Sequence, residues 1–231
     1  MDEEAIKNPS IFFGSFEWSE PMTTATDMVL ALVCLYGFLR FYNHKGNKTE
    51  AFRFFLFYFL CFAIGIGSAS IFGHALQAYL TPDWKAIGWS FAGVGIMFME
   101  LASLKLISNM IKRSYRYIFL SFIIIHTVCF LGLMLVPETR DFSFSAANST
   151  LGLVFITMPM QIFHGIKKKA KGSWFVVAAI IFGFSPLFVY LLKLGFGRWF
   201  NYHDISHLLL AMSSYITFLG TWRLGTKPSS V

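Results

Sequence analysis

Charge is what this sequence has least of. Only 13% of its 231 residues are Asp, Glu, Lys or Arg, against about 25% in a soluble domain. Meanwhile 56% of the chain is hydrophobic and 28 residues are Phe. One soluble core of this length cannot hide so much apolar surface, which excludes an ordinary water-soluble domain and makes lipid the natural solvent. Cysteine is also scarce. Cys34, Cys61 and Cys129 all fall inside apolar runs. They have neither metal-site spacing nor an extramembrane position for a disulfide, so they read as small packing residues. No soluble domain, linker or internal repeat separates the runs. The first 22 residues are acidic and lack a long apolar stretch, so no cleavable signal peptide is predicted. The net charge of +7 does not imply nucleic acid, because the basic residues sit in short clusters between apolar runs.

What the chain does have is seven apolar runs, at 23–42, 52–80, 85–108, 117–136, 144–166, 174–195 and 203–224. Each is long enough to cross about 30 Å of hydrocarbon. The predicted fold class is all-α, a seven-transmembrane helix bundle with its N-terminus outside and its C-terminus cytosolic. Residues 1–22 form an acidic extramembrane N-terminal segment, 23–224 the seven-helix transmembrane domain, and 225–231 a short cytosolic tail. Orientation follows from Lys and Arg. One alternating set of connections holds thirteen, from Arg40 to Lys227, and the other only Lys7, Lys85, Arg140 and Arg198. The richer set faces the cytosol. Pro159 and Pro186 are expected to bend their helices, and Gly65, Gly67, Ser68 and Ser70 to let helices approach closely.

Ionisable residues at membrane depth are costly, so each is a functional candidate. His74 lies about 9 Å below the outer end of the second run, at roughly 1.5 Å per residue. His203 and His207 lie one turn apart on one face of the seventh run, which begins at the same side. The three histidines therefore share an outer-leaflet layer. An i, i+4 pair plus a third histidine from another helix suits tetrahedral zinc with one open position. Open zinc sites are usually catalytic, because the metal makes hydroxide available near neutral pH. Ser70, one turn deeper than His74 on the same face, is placed to donate to a developing oxyanion. Asp83, near the start of the third run, is on the correct side to be a general base. The plainer alternative leaves His203 and His207 in water at a helix mouth and His74 as a satisfied buried histidine. Of the others, Glu100 is expected to pair with Lys105, and His126 to be a hydrogen-bonded core histidine. His164 is expected at the interface beside the Lys167–Lys171 cluster, which sets topology and touches anionic lipid.

Ser70-x-x-x-His74 and His203-x-x-x-His207, with an acidic residue near the start of the third helix, resemble the pattern of the CREST superfamily. That superfamily holds alkaline ceramidases, progestin/adiponectin-type receptors and lipases that remodel lipid anchors. The run Gly67-Ser68-Ala69-Ser70-Ile71-Phe72-Gly73-His74 looks most like the ceramidases. Glu17-Trp18-Ser19-Glu20 is similar to their calcium-binding Asp-Trp-x-Glu segment. The resemblance implies a seven-helix, N-out fold with zinc on His74, His203 and His207, and with Ser70 and Asp83 assisting hydrolysis. It also implies calcium on Glu17, Glu20 and Asp27. This sequence has Met22 where the ceramidases place an Asn, and Asp83 follows His74 more closely than theirs does. The expected function is zinc-dependent cleavage of an amide or ester bond of a lipid at the outer-leaflet interface. The partners are then a lipid substrate and the membrane, with no nucleic acid, and no protein partner can be inferred. Two alternatives stand beside it: a receptor of the same fold with structural zinc and no turnover, and a b-type haem protein.

Overall fold

The computed structural model describes residues 9–226. Asp2, Glu3, Glu4 and Lys7 of the acidic segment, and residues 227–231 of the tail, lie outside the described residues. Ser10–Phe13 and Phe16–Ser19 pair as antiparallel strands β1 and β2, with Ser10 opposite Ser19. Gly14 turns the hairpin at φ 63°, in the left-handed region that glycine adopts freely. The all-α expectation thus needs one correction. Ile11, Phe12, Phe13 and Phe16 flank that glycine, and β-branched and aromatic residues around a tight turn favour strands.

Seven helical rods follow among the described residues: α1 Pro21–Tyr42, α2 Phe52–Ala75, α3 Lys85–Met110, α4 Arg113–Leu135, α5 Phe142–Lys168, α6 Lys171–Leu191 and α7 Tyr202–Gly225. The first six are long and apolar enough to cross a membrane, consistent with a multi-pass membrane protein. α7 is as long, at 24 residues, but His203, Asp204, Ser206, His207, Ser213 and Ser214 dilute its apolar character. Large apolar side chains on the outer faces stay exposed, among them Ile125, Val128, Phe155 and Phe188, as expected of surfaces that meet lipid. Cys34 and Cys61 are buried packing residues; Cys129 differs from expectation and is exposed on α4.

Several rods depart from regular helix, and the departures matter. α2 is α-helical over Phe52–Ser68 and π-helical over Ala69–Ala75. It ends there and not at Leu80, because Leu76 leaves helical geometry at φ −102° and ψ 16°. α5 contains a second π turn, Leu151–Thr157, just before the stretch that starts with Met158 and Pro159. α6 breaks after Phe182 and restarts at Ser185–Leu191 with Pro186 in its first turn. Proline lacks an N–H, so both prolines stand where helices begin afresh. At the head of α5, Asp141 accepts the Ser143 N–H at 2.7 Å. Hydrogen bonds from Ser143 hold its carboxyl below the usual carboxylate range.

α1 packs against α2 and α7, α2 against α3, α3 against α4 and α5, α5 against α6, and α6 against α7, closing a ring. Inside it, Leu30 and Cys34 of α1 meet Phe55 and Phe59 of α2, Met99 of α3, Val176 of α6 and Phe218 of α7 in one apolar core. Phe41 is its aromatic centre, with ring centroids 5.0 Å from Phe52, 5.9 Å from Phe59 and 5.3 Å from Trp222. Two glycine pairs set the closest approaches. A Cβ on Gly65 would stand 2.8 Å from the Gly88 carbonyl oxygen, and one on Gly172 would stand 2.7 Å from that of Gly220. Close backbone approach through small residues is how helices pack without a hydrophobic drive between them.

Buried polar residues also depart from expectation. Lys105 pairs with Glu50 at 2.9 Å, and Glu100 pairs with His126, because α4 brings a nitrogen to the buried carboxylate that the long Lys105 side chain leaves for solvent. His164, near the Lys167–Lys168 end of its helix, is buried against Ser173.

Candidate metal centre

α1 begins, the π turn of α2 ends and α7 begins at the same end of the bundle, beside the hairpin. Glu20 precedes the first turn of α1 in the left-handed region, at φ 46° and ψ 55°. That conformation costs a non-glycine residue roughly 1–2 kcal/mol. It brings Glu20 Oε2 to 2.5 Å from His74 Nδ1. Two helical turns later, Asp27 is buried, with 5% of its surface exposed. Its carboxylate faces both histidines. Oδ2 is 3.5 Å from His74 Nε2, and Oδ1 is 3.3 Å from His207 Nδ1. The imidazole centroids are 6.0 Å apart. Among the described residues, Asp27, His74 and His207 each bring one donor atom within 4.8 Å of the others, a group able to hold a metal ion.

The surroundings fix these side chains. Thr26 Oγ1 lies 3.3 Å from His207 Nδ1. Asp204, fully buried, accepts from Thr23 Oγ1 at 2.9 Å and from the Asn201 N–H at 2.7 Å. Asn201 Oδ1 in turn accepts the His203 N–H at 2.8 Å, completing a capping box that starts α7. Asp204 thus ties α7 to α1 and sets the depth of His207. Ser70, also fully buried, donates to the Thr24 carbonyl at 2.8 Å, tying the π turn to α1. A pocket of about 260 Å³ opens beside the π turn, lined by Phe72, Gly73, Gln77 and Lys85 among others.

The sequence-predicted residues divide accordingly. His74 and His207 come together as expected, and the third member of the group is Asp27. The His203 ring lies against Tyr202 and Tyr190, with centroids at 4.3 and 6.0 Å. Of the residues expected around calcium, Glu20 and Asp27 both face His74. Glu17 turns to the hairpin, where Oε1 accepts from Ser10 Oγ at 2.7 Å and its N–H donates to the Tyr79 hydroxyl at 2.6 Å. Asp83 is exposed, and its carboxylate accepts from Arg140 at 2.9 Å and from Thr81 at 3.4 Å. The signal for Asp27 was in the sequence: an Asp inside an apolar run, seven residues after Glu20 and therefore on one face with it.

The donor chemistry fits a borderline-soft dication: two imidazole nitrogens and one carboxylate oxygen. With Glu20 on Nδ1, His74 turns Nε2 toward Asp27, and an outer carboxylate on the far nitrogen is the arrangement metal-ligating histidines adopt. Two carboxylates beside a dication leave the group near neutral, as burial requires. Residues 22–226 match the model of a family described as "Family of unknown function (DUF6962)". No curated protein and no solved structure matches.

Proposed function

The chain belongs to the DUF6962 family of unknown function, and from that premise we propose that it is a zinc-dependent membrane hydrolase cleaving an amide or ester bond of a lipid. The carrying observation is the Asp27, His74 and His207 group with Glu20 behind His74, set at one end of an apolar bundle. The proposed ligand set replaces the expected His203 by Asp27, and no calcium is assigned. Zinc held there would supply Lewis acidity and a lowered pKa for water, which is what hydrolysis of an acyl bond needs.

The chain's own residues supply the rest. Glu20 Oε2 holds the His74 Nδ1 proton and thereby the tautomer. Ser70 keeps the π turn on α1, three residues from Asp27's helical turn. Asp83, held by Arg140 at the same end, is assigned to proton handling. In this reading α7 is the seventh span, and the Lys and Arg asymmetry supports a site on the non-cytosolic side. A lipid's acyl bond would lie at that level, with its chains along the exposed apolar faces.

The test is elemental analysis of the purified protein, followed by mass spectrometry of a panel of acyl-amide and acyl-ester lipids. About one zinc per chain is expected, lost in Asp27→Asn and His207→Ala and retained in His203→Ala. Asp83→Asn should keep zinc and lose turnover, by about a hundred- to ten-thousandfold if Asp83 handles the proton, whereas Ser70→Ala, which removes the bond to the Thr24 carbonyl, should lower stability. Iron, or no metal in a folded preparation, overturns the assignment. Zinc without turnover on any acylated lipid makes the protein a receptor-like member of the same architecture.

A further inference from the structure

A second polar group lies deep in the bundle, and the proposed hydrolysis does not use it. Glu100 of α3 is fully buried. Both its oxygens meet His126 Nε2 of α4, at 2.9 and 3.0 Å, and His126 Nδ1 lies 3.2 Å from Asn148 Oδ1 of α5. With Asn148 Oδ1 accepting, Nδ1 of His126 carries a proton. The contact between Nε2 and the carboxylate then needs one more, held as imidazolium N–H or as carboxyl O–H. In either form the pair is neutral, as a buried pair among apolar helices should be. The helices packed on α3 add no further charge at this depth. Residues 54–82, 117–135 and 142–166 contain no Asp, Glu, Lys or Arg. Lys105, further along α3, is tied to Glu50.

Polar groups continue from the pair along α5. Asn148, Gly152, Thr157 and Gln161 recur at steps of four, five and four residues. The π turn Leu151–Thr157 supplies the step of five and keeps all four on one face. Gly152 leaves room for the carboxylate, since a Cβ there would stand 2.8 Å from Glu100 Oε1. Gln161 Nε2 donates to Ser103 Oγ of α3 at 2.8 Å. Beyond it, His164 Nδ1 lies 2.8 Å from Ser173 Oγ of α6, and Lys167 and Lys168 close the helix. On this line Asn148 Nδ2, Thr157 Oγ1 and Gln161 Oε1 are buried without a protein partner. These three residues are 6%, 0% and 1% exposed, so bulk solvent does not serve them. Buried polar atoms of this kind are satisfied by ordered water. A sealed ion pair has no need of such a line of open donors and acceptors.

We infer that Glu100 and His126 form a buried proton-binding site, and that waters held by Asn148, Thr157 and Gln161 connect it to the Lys167–Lys168 end of α5. The exchange is balanced. One proton leaves the pair as another arrives, and only O–H and N–H bonds change. This inference stands apart from the metal centre, so failure of either leaves the other intact.

The experiment is infrared spectroscopy of the full-length protein in detergent during transfer from H2O to D2O. Subtracting the Glu100→Gln spectrum assigns the carboxyl and imidazole bands of the pair. Those bands should shift on exchange well ahead of the amides of α3 and α4. Thr157→Val and Gln161→Leu should each slow the shift about tenfold, the rate equivalent of losing one hydrogen-bonded step. If Glu100→Gln does not fold, ring nitrogen resonances of 15N-histidine-labelled wild type, assigned to His126 by His126→Gln, carry the same readout. Bands that exchange no faster than the surrounding amides would make the pair sealed and structural. Unaltered exchange in both Thr157→Val and Gln161→Leu would remove the route along α5.

Discussion

Glu20 pairs an unfavourable backbone with a favourable side chain. Its left-handed backbone is destabilising for any residue with a Cβ, yet it delivers the carboxylate to His74 at 2.5 Å. Strain of this kind collects at functional sites, where the surroundings hold it in place. If the group holds zinc as proposed, Glu20→Gln should weaken its binding about 10–100-fold, the usual cost of losing a ligand's outer partner. Competition with a chelator measures it, and unchanged zinc affinity would detach Glu20 from the centre. Asp204 is the structural counterpart. It caps α7 and accepts from Thr23 in a buried setting, so Asp204→Asn should cost about 1–3 kcal/mol in thermal unfolding, zinc-loaded or not. The histidines were legible as residues because their depth follows from helix rise alone. The choice of Asp27 over His203 was not. It depends on the rotation of α7 about its own axis, which the Thr23–Asp204 bond and the capping box set and which no local spacing encodes.

At the scale of elements, the two π turns carry the polar chemistry. One presents Ser70 and His74; the other keeps Asn148, Gly152, Thr157 and Gln161 in line. Apolar runs located every rod but could not reveal either turn, since one residue added to a turn barely alters a hydropathy run. The hairpin was missed for the opposite reason. Its apolar residues, from Ile11 to Trp18, make a run too short to cross a membrane, and the signal was Gly14 between aromatic neighbours. Helix contacts were partly legible in the small residues of α2. They yield a paired prediction. Gly65→Ala places a methyl 2.8 Å from the Gly88 carbonyl and should cost about 1–3 kcal/mol through overpacking. A Cβ on Gly132 of α4 meets nothing within 4 Å. Gly132→Ala should therefore be neutral or stabilising, by up to about 1 kcal/mol. Thermal unfolding in one detergent compares the two. Equal effects would show that the α2–α3 approach is not a tight contact in the folded protein.

The whole molecule adds direction to this chemistry. The metal group and the Glu100–His126 pair lie at different depths, one at the end where α1 begins and the other along α3 toward the end where α5 finishes. That finishing end carries the Lys167–Lys171 cluster, while the metal end carries Glu17, Glu20 and Asp204. Excess Lys and Arg in short loops marks the cytosolic side, and thirteen residues against four is a wide margin for short connections. A reporter fused after Val231 should therefore be cytosolic, and one placed before Met1 should lie on the opposite side. Six crossings would put both reporters on one side, so the pair also decides whether α7, the least apolar rod, spans. The internal arrangement favours a seventh crossing. α7 packs along both α1 and α6, and its buried Thr217, Thr221 and Ser214 face the bundle and not lipid. A helix can cross with a polar inner face when neighbours satisfy it, as Thr221 does by bonding back to the Thr217 carbonyl at 2.9 Å. Both reporters on one side would mean that α7 lies outside the hydrocarbon, and the metal group, built from its first turns, would then need a different relation to the bilayer.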